Sequence, residues 1–277
     1  MLITSPQNPR ISKLRELHTT RGRKKSGLFL MEGPHLLETL LGADMLPQEV
    51  YYQPGLLQRT AKGRALLTRL LDTPGLSGDR VIEVSERVIE ALGDVQTSQG
   101  VVSVLQQEAF RSSRLLARRS PSVQRPVLLI LDAIADPGNM GTILRTALAA
   151  DVYEVLLTAN CVDCYSPKVV RAAAGAHVGL PVEVNVPWLA IGQKVAAHCA
   201  GVPRILLAEA GSPCIYYEQD LKTPFAFIIG NEAQGPSQEA RALATFTVSI
   251  PLANGVESLN AAMAAGIILF ESVRQCH

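Results

Sequence analysis

The sequence predicts a two-part α/β chain: a small α/β layer domain followed by a larger doubly wound domain built on a parallel sheet. Three observations carry this. At 277 residues the chain is longer than the usual domain of about 100 to 200 residues and suits two cores. From Pro126 onward the apolar runs lack strand alternation and each precedes a helical stretch, as in parallel strands covered on both faces. A basic stretch without acidic residues separates this region from a shorter-period one upstream. The expected division is 1–108 for the first domain, 109–125 for a linker and 126–277 for the second.

The first domain opens on a cationic segment. Arg10, Lys13, Arg15, Arg21, Arg23, Lys24 and Lys25 stand against the single acid Glu16 within residues 4–25. Ile11, Leu14 and Leu17 recur at helical spacing, so a short helix would dock this stripe and carry the basic side chains on its outer face. The formal net charge of +1 conceals this asymmetry. Charge of one sign is more than a merely soluble face requires and suits a polyanionic partner. Leu28–Leu30 then reads as a strand, Glu32-Gly33-Pro34 as a turn and His35–Leu41 as a helix opened by the proline. Alternating stretches follow at Glu49–Tyr52, Leu56–Leu71, Val81–Val84, Glu86–Leu92 and Val101–Leu105. Residues 111–125, with Arg111, Arg114, Arg118, Arg119 and Arg125, read as an exposed basic linker.

In the second domain, strands are expected at Val127–Leu131, Glu154–Thr158, Pro181–Val184, Arg204–Ala208, Phe225–Ile229 and Thr247–Ile250. Helices are expected at Asn139–Ala150, Ser166–Ala174, Pro187–Ala200 and Ser258–Arg274. A doubly wound sheet binds ligands beyond the carboxyl ends of its strands.

Three loops there carry chemistry. The first, DPGNMGTILR at Asp136–Arg145, has two glycines for close backbone approach, Asn139 as a natural N-cap, and helix-start amides that attract anions. The second, GNEAQGPS at Gly230–Ser237, follows the apolar strand FAFII. It places Glu232 at a strand end and Ser237 to cap the next helix. The third, IPLANGVESLN at Ile250–Asn260, opens a helix rich in small residues, with Ser258 as its expected cap. That small face implies close packing on another helix, of this chain or of a second subunit.

Other classes lose ground. DPGNMG is not GxGxxG, and GxxxxGK[ST] and GxSxG are missing, which weighs against dehydrogenase, P-loop and α/β-hydrolase readings. The longest apolar run near the C-terminus, Ala261–Phe270, is far short of the roughly 18 to 20 residues of a membrane span. Five cysteines make an odd set suited to a reducing compartment. Cys161 and Cys164 form a lone CxxC with no second pair or histidine at ligand spacing, so no metal is expected. A cytoplasmic protein is expected, with an organelle address left open.

In order and context the three loops resemble the three motifs of the SpoU family of RNA ribose 2'-O-methyltransferases, within the SPOUT superfamily. NMGTILR resembles the first motif, IIGNEAQGPS the second and IPLANGVESLNAA the third. The segment SPQNPRISKLRELHTTRGRKKSGLFLMEGPHLLETLL resembles the RNA substrate-binding domain that precedes many members acting on ribosomal RNA. Leu252 stands where the family often has Met, Pro236 where it often has Leu, and His35 where Arg is frequent.

The resemblance implies a trefoil knot in the last segments and S-adenosyl-L-methionine held largely by backbone at Gly230, Ile250 and Leu259. It implies catalytic roles for Arg145, Asn139, Glu232, Ser258 and Asn260, a homodimer formed through the catalytic domain, and RNA as substrate. Lys168 and Arg171, in DCYSPKVVRAAAGAHVGLPV, would join Arg10, Lys13, Arg21, Arg23, Lys24 and Lys25 on the RNA side. Arg145 is the family's candidate base, but a guanidinium is effectively never deprotonated, so an orienting and charge-stabilising role is expected instead. The alternatives left open are a non-catalytic RNA-binding or ribosome-assembly factor, a tRNA 2'-O-methyltransferase, and a base-nitrogen methyltransferase of the same superfamily.

Overall fold

The computed structural model describes residues 2–94, 97–120 and 126–277. It divides into two compact units, Met1–Phe110 with Tyr165–Val178, and Arg111–Cys164 with Gly179–His277.

The first unit contains β1 (Leu2–Ile3), α1 (Pro9–Arg15), α2 (Thr20–Ser26), β2 (Leu28–Glu32), α3 (Pro34–Gly42) and β3 (Glu49–Tyr52). It continues through α4 (Pro54–Leu57), α5 (Ala61–Asp72), β4 (Val81–Val84), α6 (Glu86–Leu92) and β5 (Val101–Gln106). The sheet runs β1-β4-β3-β5-β2, with β5 antiparallel to both neighbours. Two expectations change. The cationic segment forms two helices joined by a 3-10 turn, because the Thr19 hydroxyl caps a second start by accepting from the Gly22 amide at 3.1 Å. The stretch Leu56–Leu71 likewise splits, since the Thr60 side chain accepts from the Gly63 amide at 3.0 Å and starts α5 afresh.

The second unit begins with α7 (Ser112–Arg118), where a linker was expected. The Leu115 side chain inside the basic run is the reason, since it is buried and fixes the helix on the unit. Arg119 is also engaged, donating to the carbonyls of Val152 at 2.6 Å and Gly179 at 3.0 Å. Arg125 lies outside the described residues. There follow β6 (Val127–Leu131), α8 (Pro137–Ala149), β7 (Glu154–Leu157), β8 (Val182–Glu183), α10 (Trp188–His198), β9 (Ile205–Ala208), β10 (Phe225–Ile229), α11 (Gln238–Leu243), β11 (Phe246–Val248) and α12 (Ala261–Cys276). The intervening helix α9 (Pro167–Ala172), expected in the second domain, groups with the first unit.

The six strands of this sheet are all parallel, in the order β11-β9-β10-β6-β7-β8. Every residue of β6, β7 and β10 is buried, which is why their sequences show no alternation. From β6 the chain winds outward through β7 and β8, then returns to build β10, β9 and β11 on the other side. The order therefore reverses between β6 and β10, the position where such folds bind ligands. The register pairs Ile229 with Leu131, bringing the loops after both strands out at one level. Among the described residues no helix is long and apolar enough to cross a membrane.

Candidate active site

The loops beyond β6, β7 and β10 are tied together by Asp132, the first polar residue after the apolar strand β6. Its carboxylate is buried at 3% exposure, accepting from the Ser237 amide at 2.7 Å and the Thr158 hydroxyl at 3.4 Å. The Thr158 hydroxyl in turn accepts from the Ala133 amide at 3.0 Å. Asn231 holds its own loop, donating to the Ala133 carbonyl at 2.7 Å and accepting from the amides of Ala233 and Gln234, each at 2.9 Å. Neither Asp132 nor Asn231 stands out by type, but a polar residue within two positions of the end of a wholly apolar parallel strand is the signal that finds both.

The helix caps differ from expectation. Asp136, rather than Asn139, caps α8, accepting from the Asn139 amide at 2.8 Å. Asn260, rather than Ser258, caps α12, accepting from the amides of Ala262 at 2.9 Å and Met263 at 3.3 Å. A carboxylate or carboxamide one residue before the first turn reaches the second and third amides directly. Ser237 caps α11 as expected, accepting from Ala240 at 3.1 Å.

These caps leave the Asn139 side chain free for another task. Its Nδ2 donates to Glu232 Oε1 at 2.7 Å, and its Oδ1 accepts from Asn260 Nδ2 at 2.9 Å. A relay therefore runs from the first amides of α12 through Asn260 and Asn139 to the Glu232 carboxylate, joining all three loops. Each link fixes the orientation of the next, and a hydrogen bond to a carboxylate is stronger than one between neutral groups.

Beside the relay lies a cavity of about 330 Å³, lined by Gly230, Glu232, Ile250, Ser258 and Leu259 together with Ile229, Val248, Leu252 and Ile268. Gly230 is required there, because a Cβ would stand 2.6 Å from both Cα and N of Pro236. Glu209 and Arg241 add an ion pair to the wall; neither was anticipated, since they come from the end of β9 and from α11. Arg145 is not among the lining residues. It is exposed on α8, six residues and about 9 Å of helical rise beyond Asn139, and among the described residues no ion pair or hydrogen bond engages it.

The expected RNA-facing cations divide. Lys13, Arg15, Arg21, Lys24, Lys25 and Lys168 are exposed. Arg23 is a correction: it is 2% exposed, donating to the Leu17 carbonyl at 2.7 Å and the Thr20 hydroxyl at 3.2 Å. Arg10 is also committed, to Glu49 at 2.8 Å and the Asp79 carbonyl at 2.9 Å, over the ring of Tyr51. Arg171 pairs with Asp94. Arg10 on α1, Arg23 on α2 and Arg171 on α9 are thus engaged within the protein, so the cationic segment does not present all of its charge outward. In the CxxC loop, burial pushes the Cys161 thiol pKa up, and among the described residues no group of three metal-ligating side chains occurs.

The second unit sets a glycine-walled cavity and a polar relay at its switch point, where a doubly wound fold takes up a small ligand, and the first unit carries exposed cations suited to a polyanion. Residues 126–270 match the SpoU rRNA methylase family and residues 8–103 match the MRM3-like substrate-binding domain. The chain belongs to the SpoU rRNA methylase family. It is 37% identical over 273 residues to an uncharacterized tRNA/rRNA methyltransferase of Synechocystis, covering 99% of this chain and 93% of that one. It is 30% identical to the 23S rRNA (guanosine(2553)-2'-O)-methyltransferase RlmP of Bacillus subtilis, covering 97% of each. The crystal structure of an AdoMet-bound rRNA methyltransferase from Sinorhizobium meliloti superposes with a TM-score of 0.80 at 28% identity, covering 99% of this chain and 97% of that one.

Proposed function

We propose that the chain transfers a methyl group from S-adenosyl-L-methionine to a ribose 2'-hydroxyl of ribosomal RNA. The observation that carries this is the Asn260–Asn139–Glu232 relay at the edge of the Gly230 cavity. The cavity suits the cofactor: its volume of about 330 Å³ is in the range of small-molecule sites, and the missing Cβ at Gly230 leaves backbone open to close approach. Gly230, Ile250 and Leu259 would hold it, in segments that the family fold threads as a trefoil knot. The bound cofactor supplies an electrophilic methyl on a sulfonium sulfur.

The chain's own residues align and deprotonate the incoming hydroxyl. Asn139 fixes Oε1 of Glu232, leaving Oε2 free to accept the 2'-hydroxyl proton as the oxygen would bond to the methyl carbon, the carbon–sulfur bond breaking and the cofactor leaving as the neutral thioether S-adenosylhomocysteine. Arg145, exposed and unengaged, meets the RNA as it docks, orienting the ribose through its phosphate and stabilising charge that builds on the oxygen. Asn260 ties the start of α12 to Asn139, and Ser258 lines the cavity, where its hydroxyl would meet the substrate or cofactor. In the first unit, Lys13, Arg15, Arg21, Lys24 and Lys25 contact phosphates, which makes RNA affinity fall with salt. Met263 at 59% exposure and Phe270 at 48% leave an apolar strip on α12, which a second copy of the chain covers in a homodimer.

The test is transfer of labelled methyl to ribosomal RNA lacking the modification, followed by digestion and mass spectrometry of nucleosides. A labelled 2'-O-methylnucleoside is expected. Label recovered only on a base contradicts the ribose assignment, and absence of transfer despite bound cofactor contradicts catalysis.

A further inference from the structure

On the other face of the Asn231–Pro236 loop lies a second cleft, of about 370 Å³, that the relay does not use. It shares Asn231, Gly235 and Pro236 with the cofactor cavity, so one loop separates the two. Its chemistry differs from that of the cationic face. Among the described residues the lining includes the carboxylates of Asp132 and Glu239 and no lysine, arginine or histidine, which disfavours phosphate. Its one aromatic residue, Trp188, is half-buried against the core of Val186, Ile191 and Val195 and lines the cleft with its remaining surface.

The polar groups divide into occupied and available ones. Both oxygens of Asp132 are taken by Ser237 and Thr158. Among the described residues, the side chains of Asn160, Gln234 and Glu239 engage in no hydrogen bond or ion pair. The cleft therefore offers a stacking surface, two carboxamides and one free carboxylate acceptor. Stacking on an aromatic side chain with hydrogen bonds to the exposed edge is how unpaired RNA bases are held. Among the bases, guanine alone presents two adjacent donors, N1–H and the N2 amine, that one carboxylate accepts together.

We propose that this cleft is a nucleobase pocket, in which Trp188 stacks the base of an RNA nucleotide and Glu239 selects guanine, with Asn160 and Gln234 holding its remaining edge. This rests on the chain acting on RNA. A ribose held at the Glu232 loop is one glycosidic bond from its base, so the cleft behind that loop is within reach of the target nucleotide or its neighbour.

Trp188 is the sole tryptophan of the chain, so its fluorescence reports the pocket directly. The full-length protein is titrated with the 5'-monophosphates of guanosine, inosine, adenosine, cytidine and uridine, and with S-adenosyl-L-methionine by calorimetry as a separate readout. Saturable quenching by guanosine monophosphate is expected, with affinity roughly tenfold above that for the inosine and uridine forms, the scale of one bidentate contact. Glu239→Gln is expected to bring the five within about twofold of one another while cofactor binding and Trp188 emission stay as in the wild type. Absence of quenching by all five, or a guanine preference that survives Glu239→Gln, overturns the proposal. Loss of cofactor binding by the wild type instead contradicts the methyltransferase reading and leaves a distinct signature in the calorimetry.

Discussion

The cationic helices α1 and α2 and the strand-end loops of the second unit both concentrate polar side chains, and they arrange them in opposite ways. On α2, Arg23 and Lys24 are neighbours, yet Arg23 is 2% exposed and spends its guanidinium on the Leu17 carbonyl, while Lys24 is exposed. At the strand ends the pattern inverts: neutral carboxamides are wired to a carboxylate, and Arg145 stands free. One-sign charge in a sequence thus identifies the kind of partner, but which cations meet it depends on which positions fall on the docked face of a helix.

Within the relay, the largest effect is expected at Asn139. Asn139→Ala removes both links of the relay, and a fall in kcat on the order of a hundredfold is expected with unchanged cofactor affinity and thermal midpoint; an unaltered rate would show that the relay is idle. Gly230→Ala tests the other wall. Its Cβ would lie 2.6 Å from Pro236 backbone, and calorimetry is expected to show at least about tenfold weaker cofactor binding, equivalent to about 1.4 kcal/mol, within the usual range for overpacking.

In the first unit the comparison becomes a split between stability and binding. Arg23→Met leaves the Leu17 carbonyl without its donor, and about 2 kcal/mol of stability is expected to go, read as a lower denaturation midpoint. Lys24→Ala is expected to leave the midpoint in place and reduce the slope of log affinity against log salt by about one. Equal behaviour of the two variants in both assays would erase the distinction between committed and available cations.

The smallest effect concerns Arg274, exposed yet paired with Glu271 at 2.6 Å. Hydrogen bonds from Arg274 hold the Glu271 carboxyl pKa down at about 2. A depressed carboxylate stabilises the fold above its usual value of 4.5, and the contribution is lost as pH falls from there toward 2. Since the Arg274 end of the pair is exposed while the Glu271 side chain is 9% exposed, Glu271→Gln is expected to lower the denaturation midpoint only slightly at pH 7 and to leave it unchanged at pH 2, below the window.

Much of this was legible from sequence. The strands β6, β7 and β10 announce themselves as unbroken apolar runs because parallel strands are covered on both faces, and the three loops follow from their Gly, Pro, Asn and Glu content. The family resemblance added the residues of the cavity wall, and Gly230, Ile250, Ser258 and Leu259 do line one cavity. Less legible was anything decided at long range. The caps moved by a few residues because Asp136 and Asn260 reach the helix amides better than Asn139 and Ser258. The burial of Arg23 and the pairing of Arg10 and Arg171 depend on acceptors at Leu17, Glu49 and Asp94, which apolar periodicity does not reveal. The grouping of α9 with the first unit also arises from non-local packing, and periodicity does not carry it.

The most direct test of the account is single-turnover methyl transfer by Arg145→Ala and Arg145→Lys, with cofactor affinity measured alongside. The account predicts wild-type cofactor binding in both, loss of transfer by at least about a hundredfold in the alanine variant and partial retention in the lysine variant. Wild-type transfer by Arg145→Ala would contradict it.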